Sequence, residues 1–194
     1  MGHWIEVNIE PVGEARRTLL LDVVDPLVHE QLASEIDTWF YFWEPALRLR
    51  LRWRDPARAD DNRAALARVF DTAKADGKLV DWYEGNHGNR GETYGGEADF
   101  YGAEVWELVA RDWMSASELA IAIQRADADG ALTKPPLFHW QRRVHLFSNQ
   151  LLVDEVPLCL HQARGYLRMR GANDRQAKNV MRAIDRFLAA QEAE

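Results

Sequence analysis

Cysteine is almost missing from this chain: among 194 residues only Cys159 carries a thiol, which excludes an internal disulfide and a thiolate-rich metal site. It sits in the apolar helical stretch "EVPLCLHQA", a setting for a buried structural thiol rather than a nucleophile. Long apolar runs are missing too. Nothing approaches the roughly 18 residues a membrane span requires, and the N-terminal "MGHWIEVNIEP" has neither the basic region nor the apolar stretch of a signal peptide. The expectation is a soluble, cytoplasmic protein with no membrane partner. The glycines of "TYGGEADFYG" lack dinucleotide-binding spacing and no GK[ST] follows, so P-loop and Rossmann chemistry are excluded. The histidines at 3, 29, 87, 139, 145 and 161 form no HExxH pair. No metal and no cofactor is therefore expected. Positive charge is in deficit, with 24 Lys and Arg against 31 Asp and Glu and a net charge of −7. Such a surface repels phosphate backbones, so tRNA or another nucleic acid is not an expected partner unless a local basic patch overrides that field.

What is present is apolar mass and pattern. At 47% hydrophobic the chain can build one sizeable core, and it is read as a single domain, 1–194, with a sheet-rich lobe at 1–84, a Gly-rich loop at 85–101 and a helical lobe at 102–194. "HWIEVNIE" alternates as a strand. "RRTLLLDVVDPLVHEQLA" has helical spacing interrupted by Pro26. "DTWFYFWE" reads as an aromatic strand, and Glu44-Pro45 is a turn into "ALRLRLRWR", so the pair forms an antiparallel hairpin. "DPARADDNRAALARVFDTAKADG" is a helix stopped at Gly77, and "KLVDWYEG" is a further strand. This order, strand, helix, strand, strand, helix, strand, predicts an α+β fold whose first half has a ferredoxin-like β-α-β-β-α-β order with an antiparallel sheet.

The segment "ALRLRLRW" sets Leu47, Leu49, Leu51 and Trp53 against Arg48, Arg50 and Arg52. Its simplest reading is a solvated face or a charged edge strand. Two features favour a covered face on which guanidinium groups grip carboxylates or carbonyls: lysine is absent from the row, and the neighbouring "WFYFWE" puts aromatics on both faces. Trp43 lies in that aromatic strand and, like Trp39, Trp53 and Trp82, is either core or a lining for a substrate channel. His145, set among Val144, Leu146, Phe147 and Leu151, reads on spacing alone as a core or boundary histidine. Tyr94 and Tyr101 anchor the Gly-rich loop, and a phenol there can also donate a proton.

Taken together, "WFYFWEPALRLRLRW", "YEGNHGNRGETYGG" and "HLFSNQLL" resemble the C-terminal domain of lantibiotic dehydratases and the related thiopeptide-type bacteriocin biosynthesis proteins. The order and approximate spacing of these motifs agree from Trp4 to the last helices. The resemblance implies an enzyme that tailors a ribosomally made precursor peptide carrying a leader, alongside a glutamylating or other biosynthetic partner enzyme; a homodimer is compatible with it. It implies one of two chemistries. Elimination expels glutamate from glutamylated Ser or Thr to leave a dehydroamino acid; cyclisation joins two dehydroalanines in a hetero-Diels-Alder type, pyridine-forming reaction.

By the same resemblance the strand arginine falls among Arg48, Arg50 and Arg52 and the helix histidine on His145. The motif arginine falls on Thr93, the glutamate three before it on Arg90, and the Asn-Arg pair on Asn149-Gln150. Threonine supplies no cation for a departing carboxylate. These departures favour the cyclase, with His145, Arg50, Tyr94 and Tyr101 moving protons or polarising carbonyls, and Arg48, Arg52, Arg90, Trp43 and Asn149 binding substrate. Glutamate elimination with Arg90 as substitute cation is the first alternative, and a non-catalytic subunit that binds precursor peptide by strand addition the second.

Overall fold

The structure is a computed structural model that describes residues 4–13, 15–43, 46–136 and 138–139. Thr133–Glu194 form one compact unit and Met1–Leu132 another. Its centre is a five-stranded antiparallel sheet in the order β2-β3-β1-β4-β5, with β1 Trp4–Pro11, β2 Ile36–Trp43, β3 Leu47–Trp53, β4 Leu79–Asn86 and β5 Asn89–Arg90. The α+β class expected from the sequence is present.

Strict alternation in β1 and β3 gives the sheet two unlike faces. Ile5, Val7, Ile9, Leu47, Leu49, Leu51 and Trp53 fall on one face and are almost completely buried. They meet Leu66 and Phe70 of helix α2 (Ala59–Ala75) and Leu19, Val24 and Leu27 of the helical run at residues 16–31. Each such side chain contributes about 1.5–3 kcal/mol of burial, so this layer is the main source of stability. The opposite face carries Glu6, Asn8, Arg50 and Arg52, all buried, together with Trp4 and Phe40.

The run at residues 16–31 departs from the expected interruption at Pro26. It is α-helical at Arg16–Leu19 (α1) and π-helical at Leu20–Val24 and Leu27–Gln31, with Pro26 inside it in helical geometry. The widened turns suit a residue that has no N–H to give to the regular ladder. The Gly-rich segment is likewise more ordered than a loop. Its start completes β4, the pair His87-Gly88 makes a two-residue hairpin turn with both φ values positive, and β5 follows. A one-turn helix, α3 (Ala98–Tyr101), closes the segment.

Helix α4 (Ala103–Ala128) connects the layers. Its first half lays Trp106 and Ala110 against Trp4 and Phe40 on the polar face. At mid-helix the Ser117 hydroxyl accepts the Tyr41 amide at 3.2 Å, closing the outer edge of β2. Further along, Ile121 joins the main apolar cluster, and Arg125 pairs with the buried Asp25. The second face of the sheet is thus covered.

Candidate active site

The register of β1 with β3 sets Glu6 directly opposite Arg50 and Asn8 opposite Arg48. Because both strands point these positions to the same face, Arg50 Nε donates to Glu6 Oε2 at 2.9 Å in a setting where the two residues are 2% and 1% exposed. Asn8 Nδ2 and the Gly88 backbone N–H donate to Glu6 Oε1 at 3.1 and 3.0 Å. Arg50 Nη1 donates to Glu97 Oε1. Arg50 Nη2 lies 3.1 Å from His87 Nδ1, which must then be the unprotonated nitrogen, because a guanidinium only donates. The guanidinium carbon stands 4.4 Å from the Tyr94 ring centroid, with Phe42 and Phe40 at 5.4 and 5.8 Å. Cation–π contact with those faces adds to the ion pairing.

The charged state of Glu6 is secured by its donors. Burial by itself raises a carboxyl pKa, but the Gly88 amide, Arg50 and Asn8 outweigh it and hold Glu6 below the ordinary carboxylate range. Tyr94, 2% exposed, is pushed well above a normal phenol, chiefly by burial, so it is a neutral O–H donor at any working pH. That O–H lies 3.5 Å from Glu97 Oε1. A cavity of about 190 Å³ borders the cluster and is lined by Trp4, Glu6, Gly85, Gly91, Thr93 and Tyr94 among others. A larger groove of about 410 Å³, between α2 and the π-helical turns, contains none of these residues.

The arginine row divides by function. Arg52 bridges sheet and helix, donating to Asp37 and Thr38 on one side and Glu107 of α4 on the other. Arg48 sits beneath the hairpin turn, its Nη2 so close to Gly88 that a Cβ there would approach within 3.3 Å. Arg50 alone of the row reaches Glu6, Glu97, His87 and Tyr94 together. Trp43 belongs to the opposite, apolar face, because β2 alternates and Trp43 pairs with Leu47; the Arg16 guanidinium covers its ring at 5.2 Å. Arg90 is also apart: it is exposed at the sheet edge, paired with Asp81 at 2.8 Å and stacked on Tyr83 at 4.1 Å. Tyr101 stacks on Trp106, with ring centroids 6.0 Å apart, and so braces the aromatic cover. Thr93 is exposed at the cavity. His145 and Asn149 lie outside the described residues.

Sequence reasoning passed over Glu6, Asn8, His87 and Glu97. Glu6 and Asn8 were legible as polar residues alternating with Ile5, Val7 and Ile9, the same signal that drew attention to the arginines. "NHGN" between strand-like residues is a hairpin signal, and it aims His87 at the sheet. Glu97 had no local signal.

Among the described residues no group of His, Cys, Asp and Glu forms a metal-binding cluster, and no helix is long and apolar enough to cross a membrane. A family model described as lantibiotic biosynthesis dehydratase, C-terminal, matches residues 4–193. Among solved structures, the tRNA-dependent lantibiotic dehydratase MibB from Microbispora sp. 107891 is similar, with a TM-score of 0.49 and 22% identity over 66% of this chain and 12% of that one. The present chain thus spans a small part of that protein's length. No curated protein matches it.

Proposed function

The chain belongs to the lantibiotic biosynthesis dehydratase C-terminal family, and from that premise we propose that it eliminates glutamate from glutamylated Ser or Thr residues of a precursor peptide. A base removes the α-proton, the Cα–Cβ double bond forms, and the Cβ–O bond breaks with its electron pair leaving on the glutamate carboxylate. Arg50 receives that carboxylate. The observation that carries this reading is a buried guanidinium whose Nη1 already holds a carboxylate, Glu97, in a cluster whose Glu6 and Tyr94 line a cavity. A cation in such a low-dielectric, preorganised place stabilises developing negative charge far better than one in water. Removal of the proton is assigned through the family resemblance to His145.

The pyridine-forming cyclisation suggested by Thr93 gives way here to elimination, since the matched family is described as a dehydratase. With threonine at that position, the cationic work concentrates on Arg50, with Arg48 two residues along the same strand face. The precursor peptide and a glutamylating partner enzyme are the partners this reaction requires. Strand addition is less favoured: the Tyr41 amide on the β2 edge is taken by Ser117, and β5 is two residues long. We also read the first half as a split β-α-β-β-α-β unit, supported by a sheet order with β3 and β1 at the centre.

The test is to incubate the purified chain with a glutamylated Ser peptide and follow peptide mass and free glutamate. Release of glutamate with formation of a dehydroalanine peptide is expected, and Arg50→Lys should lower the rate at least about hundredfold, as loss of a preorganised oxyanion partner does. A dehydroalanine-containing peptide that instead condenses with loss of water would restore the cyclase.

A further inference from the structure

Each nitrogen of the Arg50 guanidinium has a partner: Nε Glu6, Nη1 Glu97 and Nη2 His87, with Tyr94 against one face. A substrate carboxylate that takes the Nη1 position must replace Glu97 there, and the two resident carboxylates are held very differently. Glu6 is fully enclosed and accepts from Arg50, Asn8 and Gly88. The Glu97 side chain keeps 17% of its exposure. Among the described residues its side-chain hydrogen-bond partners are Arg50 and the distant Tyr94 hydroxyl at 3.5 Å. It makes no side-chain cap to α3, although its residue is the N-cap. Rotation about its own side-chain torsions is enough to vacate Nη1, with no backbone movement. Glu6, by contrast, cannot leave without orphaning the Gly88 amide and Asn8.

We propose that Arg50 Nη1 is a binding position for glutamate-type carboxylates and that Glu97 is its resident, exchangeable occupant. The incoming glutamyl group displaces Glu97, and after elimination Glu97 returns to expel the free glutamate. While the glutamyl group is still an ester its carbonyl oxygen is neutral, so displacing Glu97 leaves Arg50 one negative charge short, and the balance is restored when the Cβ–O bond breaks and the departing carboxylate forms. This inference rests on the elimination reading for the identity of the ligand, whereas the exchange itself is a binding event that can be measured alone. A tethered carboxylate competes at an effective concentration in the millimolar range, which lowers the apparent affinity for free ligand by the fraction of time the position is open.

The experiment is calorimetric or NMR titration of the full chain with glutamate and with glutarate, for wild type, Glu97→Ala, Glu97→Gln and Arg50→Lys, each checked for fold by circular dichroism. Tighter binding by at least tenfold in Glu97→Ala, a smaller gain in Glu97→Gln, and loss in Arg50→Lys are expected. Stronger inhibition of peptide conversion by added glutamate should accompany the Glu97→Ala gain. Unchanged or weaker binding in both folded Glu97 variants overturns the exchange. A tenfold gain in binding without glutamate release from a glutamylated peptide by any variant keeps the exchange site and removes the elimination reading.

Discussion

At the scale of single residues, the site rests on groups that would be unstable apart. Glu6 and Arg50 are each buried to within 2% of full enclosure, and breaking a buried pair by removing one partner costs about 3–5 kcal/mol. Glu6→Gln should therefore lower stability by about 3 kcal/mol in denaturant unfolding, with the m-value unchanged. The pH dependence follows from the same residue. Its folded-state pKa lies below the ordinary value of 4.5, so its contribution is complete above that value and fades as pH falls through the folded one. Wild type should lose stability more steeply than Glu6→Gln between about pH 5 and pH 3; parallel curves would show that Glu6 is not the group responsible. Gly96 is the second sensitive point. Its φ is +89° and an added Cβ would come within 2.9 Å of Trp4 Cδ1 and 3.0 Å of Trp106 Nε1. Gly96→Ala should cost about 1–3 kcal/mol through strain and overpacking, visible as a fall in Tm, while Gly95→Ala, with open space at its Cβ, should cost much less. Alternation made Arg50 readable as an inward-facing cation. Its partner Glu6 is 44 residues away in sequence, and cross-strand register is a tertiary property no local pattern announces.

Among the elements, the turn between β4 and β5 carries the clearest tension between local preference and site. A two-residue turn with both φ values positive favours Asn-Gly, yet His87 occupies its first position with φ +48°, the single non-glycine residue with positive φ among those described. His87→Asn should leave the unfolding free energy unchanged or raise it by a few tenths of a kcal/mol, while glutamate release falls about tenfold or more because Arg50 Nη2 loses the His87 acceptor. Recovery of activity in His87→Gly would argue that the turn shape alone matters. The same segment shows why composition misleads. Six residues from Asn86 to Gly91 look like loop, but Gly88 brings its amide to Glu6, and "NHGN" closes a hairpin. The glycines serve separate purposes: Gly88 turns the chain, Gly85 admits the Asn89 carbonyl, whose oxygen would stand 2.6 Å from a Cβ, and Gly96 yields to two indoles. Pro26 misled in the opposite sense, since a helix can carry proline where its turns widen.

For the unit as a whole, an acidic chain buries its most conspicuous cations. Arg50 and Arg52 are met by Glu6, Glu97, Asp37 and Glu107, so these two arginines of the row are internally neutralised. Both the acidity and the row were legible; their cancellation needed the sheet and α4 to meet. Asp37 and Arg52 mark that meeting. Burial opposes the charge on each, yet their mutual hydrogen bonds, with Glu107 and Thr38, hold Asp37 below and Arg52 above their ordinary values. Since α4 touches the aromatic cluster through Trp106 and the main core through Ile121, loosening its first half should be felt in the site. Arg52→Ala removes the bridge but leaves Asp37 and Glu107 side chains with 31% and 48% exposure through which to hydrate, so the cost should be moderate, about 2 kcal/mol. Hydrogen exchange should then rise together in residues 103–113 and in 94–101, while α2 and the strands facing it stay protected, and glutamate release should decline in proportion. Faster exchange in α4 without any change at Tyr94–Tyr101 would mean that the cover and the Arg50 site are held independently.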